Sequence, residues 1–204
     1  MVAVIDYNMG NLGSVMNAFS KIGADSYLVS SAEELSKFDR VVLPGVGAFP
    51  DAMNHLKNSG MNQAILEFAK SGKPILGTCL GMQLLFEKSQ EFGNNDGLGL
   101  IKGEVVPFDK SKFDNPELKI PHMGWNELFV KKDTPLFDGL DDDFYLYFVH
   151  SFHVQTEQKY IIGSTFYGYE FASAVNQDNI FGFQPHPEKS HKIGLKILTN
   201  FINL

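Results

Sequence analysis

Residues 74–87 read PILGTCLGMQLLFE, and the order of elements in this stretch decides the fold. Pro74-Ile75-Leu76 is a short apolar run that predicts a buried strand, and Leu80–Glu87 predicts a helix. Between them, Gly77-Thr78-Cys79-Leu80-Gly81 sets a cysteine two residues from a glycine on either side, the offsets of a G-x-S-x-G turn. A nucleophile on such a strained strand-to-helix turn needs small neighbours, because larger side chains would obstruct it. The start of the helix brings free amides and a dipole that favour a thiolate. The amide of Leu80, just after the cysteine, would point at a developing oxyanion. The alternative reading of Cys79 is a buried structural cysteine, the usual fate of a lone thiol.

Outward from this stretch the same strand–turn–helix order recurs. Val2-Ala3-Val4-Ile5 predicts a buried strand; Leu12, Val15, Met16, Phe19 and Ile22 then lie on one helical face, with Gly23 as a stop. Ser31 and Glu34 fit a capping box for a second helix. Val41-Val42-Leu43 is another strand, ending at Pro44-Gly45, and Phe49, Met53, Leu56 and then Met61, Ile65, Phe68 give two further helical faces. Alternation at crossover spacing through residue 90 predicts an α/β fold, an open and mostly parallel sheet flanked by helices.

From about Gly99 the pattern turns β-rich. Val105-Val106, Glu127–Val130, Tyr145–Val149, Tyr160–Phe166, Phe171–Val175 and Ile180–Phe183 read as strands, and Asp109–Pro121 as a polar loop. Ile193, Ile197, Leu198, Phe201 and Ile202 close the chain with an amphipathic helix. With no repeat and no linker, residues 1–204 are expected to form a single domain with a β-rich second half.

The bulk properties exclude several functions. Hydrophobic residues make up 44% and charged residues 20%, as in ordinary globular proteins. A net charge of −7 with no Lys/Arg cluster argues against nucleic acid. No apolar run approaches the roughly 20 residues of a membrane span, and Met1–Asp6 has no signal-peptide pattern. One cysteine cannot form an internal disulfide, so a reducing, cytoplasmic location is expected.

A thiol nucleophile needs a base, and the base needs an acceptor to orient it. Of six histidines, His186 stands out in Phe183-Gln184-Pro185-His186-Pro187-Glu188, just past a predicted strand. In an extended segment Glu188 would share a side with His186 and could hold its imidazole. Residues past the carboxyl ends of parallel strands converge on one crevice, which would bring Cys79 and His186 together. The alternative is a surface loop with an incidental His and Glu. Pro44-Gly45-Val46-Gly47 supplies a turn at the same sheet edge, whose amides could complete an oxyanion hole or form a simple turn. Neither G-x-G-x-x-G nor a P-loop is present, and no cofactor is expected. His150 and His153 lack the carboxylate or cysteine partners of a metal site and are read as non-ligands. Asp141-Asp142-Asp143 is read as a solvated turn.

Gly77-Thr78-Cys79-Leu80-Gly81-Met82-Gln83 together with His186-Pro187-Glu188 resembles the class I (triad) glutamine amidotransferases. Within them the similarity is greatest to glutaminase subunits of imidazole glycerol phosphate synthase. Four segments carry this narrower resemblance: Ile5–Leu12, Leu43–Phe49, Ile120–Asn126 and Tyr147–Ser151, spread through the chain in the family's order. The resemblance implies Cys79 as nucleophile, His186 as base and then acid, and Glu188 as its orienting group. It implies an oxyanion hole from Leu80 and the Val46-Gly47 turn, and L-glutamine held by Gln83 and the Ser151-Phe152 backbone. It further implies a (β/α)₈-barrel cyclase partner that receives the ammonia, meeting this chain at Asn11, Trp125, Tyr147 and Lys189. The bland readings of those four are a loop amide, a half-buried aromatic pair and a solvated lysine. A paralogous glutaminase serving another synthase, such as a surface-sugar amidotransferase, would share the same chemistry. A non-catalytic scaffold would not need the complete Cys-His-Glu set. One departure stands out: Pro185 occupies a position that is usually aromatic in the family. Its side chain is expected to point away from His186 and Glu188, and the change to be tolerated.

Overall fold

A computed structural model describes residues 1–204. The first half contains β1 (Val2–Ile5), α1 (Leu12–Lys21), β2 (Ser26–Val29), β3 (Arg40–Leu43), α2 (Phe49–Asn58), α3 (Met61–Lys70), β4 (Ile75–Thr78) and α4 (Leu80–Leu84). The second half is β5 (Phe86–Ser89), β6 (Asn95–Asp96), β7 (Ile101–Pro107), β8 (His122–Val130), β9 (Asp143–His150), β10 (Phe152–Gln155), β11 (Ile161–Phe166), β12 (Glu170–Gln177), β13 (Ile180–Phe183) and α5 (His191–Ile202). The sheet runs β2-β1-β3-β4-β13 with every neighbour parallel, so the chain's last strand closes the parallel block beside β4. Beyond β13 the pairing turns antiparallel through β12, β10 and β7, and β11, β8 and β9 branch from β12. The fold is therefore α/β, with an open sheet that is parallel in the half built of alternating elements. No helix is long and apolar enough to cross a membrane.

The parallel strands are buried on both faces yet keep the period of two. Ala3, Ile5, Val41 and Leu43 join Phe49, Leu56, Met61 and Ile65 from α2 and α3 on one face. Val2, Val4, Val42 and Leu76 join Phe19 of α1 and Ile197 and Phe201 of α5 on the other. Each such large side chain, fully withdrawn from water, contributes on the order of 1.5–3 kcal/mol. The two layers fix β1, β3, β4 and β13 side by side, and their carboxyl ends define one edge.

Two sequence expectations are corrected. The residues after Ser31 form a 3₁₀ segment, Ala32–Lys37, and Ser31 makes no side-chain cap; Glu34 instead pairs with Lys37 at 3.2 Å. The helix expected over Leu80–Glu87 ends at Leu84, and Phe86–Ser89 is β5, parallel to β7. Leu84-Leu85-Phe86 is an unbroken apolar run, which suits a buried helix and a buried strand alike. Strand β2, at the sheet edge with Tyr27 and Leu28 exposed, carried no alternation to reveal it.

Candidate active site

Cys79 sits between β4 and α4 with φ 52° and ψ −115°, a conformation that costs a non-glycine residue on the order of 1–3 kcal/mol. Its amide donates to the Phe183 carbonyl at 2.7 Å, which ties the turn to the end of β13. Gly81 must be glycine here, because a Cβ would lie 1.7 Å from the Leu43 carbonyl oxygen. The thiol lies 3.8 Å from the Val149 carbonyl oxygen and 3.9 Å from the Gln184 side-chain nitrogen.

β13 delivers His186. The His186 amide donates to the Tyr147 carbonyl at 2.8 Å, and its Nδ1 lies 2.7 Å from Glu188 Oε1, with both side chains almost wholly buried. The carboxylate can only accept, so Nδ1 carries a hydrogen and Nε2 is the atom left for Cys79. Nε2 is buried and has no aligned hydrogen-bond partner within the chain. Burial alone would lower the pKa of His186. Interaction with Cys79 and then with Glu188 outweighs burial and raises it to about 10. The raised value favours a protonated imidazole beside the Cys79 sulfur.

At the end of β3, Pro44-Gly45-Val46-Gly47 turns past the nucleophile. The Val46 and Gly47 amides make no hydrogen bond within the chain. Gly47 has φ 108°, and a Cβ there would lie 2.6 Å from the Met9 methyl. Tyr7, just past β1, donates its hydroxyl to the Pro44 carbonyl at 2.7 Å and braces this turn from below. Its own pKa is raised, first by burial and then by the charge of Cys79.

These elements enclose a cavity of about 300 Å³ lined by Val46, Gly47, Cys79, Leu80, Gln83 and Glu91, and closed opposite by His150, Ser151 and Phe152. Gln83 donates to the Phe152 carbonyl at 3.1 Å and to Gln184 Oε1 at 3.0 Å, so its amide nitrogen braces the cavity wall. The Ser151 amide makes no hydrogen bond within the chain. A larger cavity of about 800 Å³ lies over Lys110, Lys112, His153 and Tyr169, but it contains no nucleophile–base pair. His153 is engaged there with Tyr169 at 2.8 Å.

Sequence reading missed Glu91, Tyr7 and Gln184. Glu91 places a carboxylate in the cavity while accepting from the Phe49 amide at 2.8 Å. Burial raises its pKa, partly offset by that hydrogen bond. No spacing rule links it to Cys79. Tyr7 was within reach, since it follows β1 at the sheet edge where the other site residues emerge.

Trp125, Tyr147 and Lys189 form one outward patch. The Trp125 and Tyr147 rings are 6.1 Å apart at 69°, and Lys189 Nζ lies 6.0 Å from the Tyr147 ring. His191 stacks on Trp125 at 5.1 Å and 5°. Asn11 is exposed at the start of α1, where its side chain caps Ser14 at 3.4 Å. Ser14 and Asn17 of that helix border a surface cleft with Lys189 and His191.

Pro185 is buried between two anchored residues: the Gln184 amide donates to Ser173 at 2.9 Å and the His186 amide to Tyr147. The backbone on both sides of the proline is therefore held without an N–H at 185. Pro185→Phe is expected to change turnover at this site by less than about threefold. A rise of about tenfold or more, on the scale that small displacements cost in a catalytic site, would mark the proline as a restraint on His186.

A cysteine on a strained strand-to-helix turn, a buried histidine–glutamate pair and an open cavity thus lie together at the ends of parallel strands. The chain belongs to the class-I glutamine amidotransferase family, whose model matches residues 3–204. It is 62% identical to imidazole glycerol phosphate synthase subunit HisH of Sulfurimonas denitrificans, over 98% of this chain and 97% of that one. It is 57% identical to the subunit of the same name from Wolinella succinogenes, over the whole of both chains. Among solved structures, PurLQS from Thermotoga maritima superposes with a TM-score of 0.78 over 99% of this chain and 97% of that one. At 21% identity that likeness concerns the fold.

Proposed function

We propose that this chain is the glutaminase subunit of an imidazole glycerol phosphate synthase, splitting L-glutamine to glutamate and ammonia for histidine biosynthesis. The observation that carries the reading is the Cys79 turn beside the His186–Glu188 pair, in a chain of this family. The Cys79 thiolate attacks the side-chain amide carbon of glutamine, and the Leu80 amide and the Val46-Gly47 turn take the negative charge of the oxygen. His186 gives its proton to the departing nitrogen as the C–N bond breaks, leaving a γ-glutamyl thioester and ammonia. A water molecule then loses a proton to His186 as it attacks the thioester. The C–S bond breaks, glutamate leaves, and the thiolate–imidazolium pair is restored. Glu188 holds His186 in orientation throughout. Glu91 offers its carboxylate to the α-ammonium group of glutamine, and the Ser151 amide offers a donor to the α-carboxylate.

The partner is a (β/α)₈-barrel cyclase subunit that binds over Trp125, Tyr147, Lys189 and Asn11 and takes up the ammonia. The Val46 and Gly47 peptides have no internal hydrogen bond to hold them, so docking can turn one of them toward the oxyanion. A missing oxyanion donor costs on the order of 10²–10³ in rate, and the isolated chain is expected to hydrolyse glutamine that much more slowly than the complex. Trp125→Ala is expected to weaken cyclase binding by about tenfold or more, as loss of a central aromatic anchor does. Titrating the purified cyclase against wild type and Trp125→Ala, with glutamate release as readout, tests both points. Full activity without the cyclase, or a cyclase that neither binds nor activates the wild-type chain, would remove this reading.

A further inference from the structure

One wall of the cavity is backed by a chain of polar side chains that the reaction above does not use. Asn126 Nδ2 lies 3.1 Å from His122 Nε2 and 2.9 Å from the Phe166 carbonyl oxygen. His122 Nδ1 lies 2.9 Å from His150 Nε2, and His150 Nδ1 lies 2.7 Å from the Phe152 carbonyl oxygen. The two ends fix every hydrogen between them. A carbonyl oxygen only accepts, so His150 carries its hydrogen on Nδ1. At the other end, Asn126 Oδ1 accepts from the Glu127 amide at 2.8 Å, which orients the Asn126 amide with its nitrogen toward His122. His122 Nε2 is therefore the acceptor, His122 Nδ1 the donor, and His150 Nε2 the acceptor. All the donors point one way, toward Phe152, and both imidazoles must be neutral for this to hold. Their burial keeps them so: it lowers His122 to about 4 and holds His150 well below its usual value.

The end point gives the chain its meaning. The His150 side chain spans Ser151 to reach the Phe152 carbonyl, and Gln83 donates to the same oxygen at 3.1 Å. With residues 150 and 152 tied together, the backbone of Ser151 is restrained where it lines the cavity, and its amide has no partner within the chain. His122 is itself clamped between Tyr167, at 4.0 Å and 24°, and Phe148, at 4.8 Å and 25°. A fixed donor of this kind does not have to be reordered when a carboxylate arrives, which is where preorganisation adds affinity.

We propose that the Asn126–His122–His150 chain is a positioning device that presents the Ser151 amide to the α-carboxylate of glutamine. The proposal rests on the glutaminase reading above. It assigns the two histidines to substrate affinity, separate from the thiol chemistry.

The test measures glutamine-dependent turnover of the complex with its cyclase, with ammonium-dependent turnover as the reference for an intact complex. His150→Leu and His122→Phe are expected to raise KM for glutamine by about tenfold or more, the scale of one lost buried hydrogen bond, with kcat within about threefold. His150→Asn puts an amide nitrogen near the place of Nδ1 and is expected to restore most of the affinity lost in His150→Leu. An unchanged KM, a loss confined to kcat, or a His150→Asn variant no better than His150→Leu would each overturn the proposal. Nitrogen-15 NMR of the wild-type chain gives a reading independent of variant folding. Both imidazoles are expected to be neutral and protonated at Nδ1, and a proton on Nε2 of either would also overturn it. A wild-type complex that does not hydrolyse glutamine would sink the glutaminase reading instead, and the NMR result would still decide the hydrogen-bond chain.

Discussion

Cys79→Ala is expected to abolish glutamine-dependent turnover of the complex while ammonium-dependent turnover continues. No other side chain can replace the sulfur: this is the only cysteine, and the thiol sits on the strained turn facing the imidazole edge left free by Glu188. Losing a nucleophile from a triad costs on the order of 10⁴–10⁶ in kcat, because the groups act as a unit. Free ammonia bypasses the thioester altogether, so the ammonium rate reports whether the partner is intact. Cys79→Ser is expected to fall nearly as far, since a hydroxyl is a much weaker nucleophile than sulfur and gives up its proton less readily. Steady-state rates of wild type and both variants, with glutamine and then with an ammonium salt, decide the matter. Glutamine-dependent activity surviving within about tenfold in Cys79→Ala would mean that another group attacks the amide.

Gly81→Ala is expected to have the second largest effect, and through the backbone. The added Cβ would lie 1.7 Å from the Leu43 carbonyl oxygen and 2.7 Å from its carbon, atoms at the end of a central strand. They cannot swing aside as the end of a flexible side chain could. Leu43 is registered against Gly77 on β4, so relief would have to come from lifting the Cys79 turn or opening the β3–β4 pair. Either should destabilise the chain by about 3 kcal/mol or more and lower Tm by roughly 6–12 °C in a protein of this size. A displacement of the nucleophile of about 1 Å would by itself cost on the order of 10² in rate. Gly13→Ala is the control: it lies within α1, nothing is within 4 Å of its added Cβ, and a gain of up to about 1 kcal/mol is expected. Calorimetry of the two variants checks the contrast. A Gly81→Ala protein as stable and active as wild type would show that the turn has slack.

The parts of the site set by local chemistry were legible in the sequence. The turn at Cys79 could be read from its flanking glycines and its place between strand and helix, and the His186–Glu188 contact from their offset of two past a strand. What could not be read were contacts between distant segments. Glu91 reaches the cavity because the Gln90–Gly93 turn folds back onto the Phe49 amide. His150, read together with His153 as a non-ligand, turned out to hydrogen-bond to His122 across the β8–β9 pair. The same holds for the fold. The crossover spacing gave the parallel block, but β13 joining it beside β4 depends on a strand a hundred residues downstream. The misread boundary at Leu84–Phe86 shows the complementary failure, where burial on all sides erases the period that separates helix from strand.

Tyr147 faces two ways. Its ring lies on the outer patch between Trp125 and Lys189, while its carbonyl holds the His186 amide at 2.8 Å and its amide accepts nothing but donates to the Ser190 hydroxyl at 3.0 Å. The Ser190 hydroxyl in turn donates to the His186 carbonyl at 2.6 Å. The outer surface and the backbone of His186 thus meet at one residue, directly through its carbonyl and through Ser190 from its amide. A compound lodged over the Trp125–Tyr147 pair would be expected to reach His186 through the Tyr147 backbone while leaving the cavity beside Cys79 open.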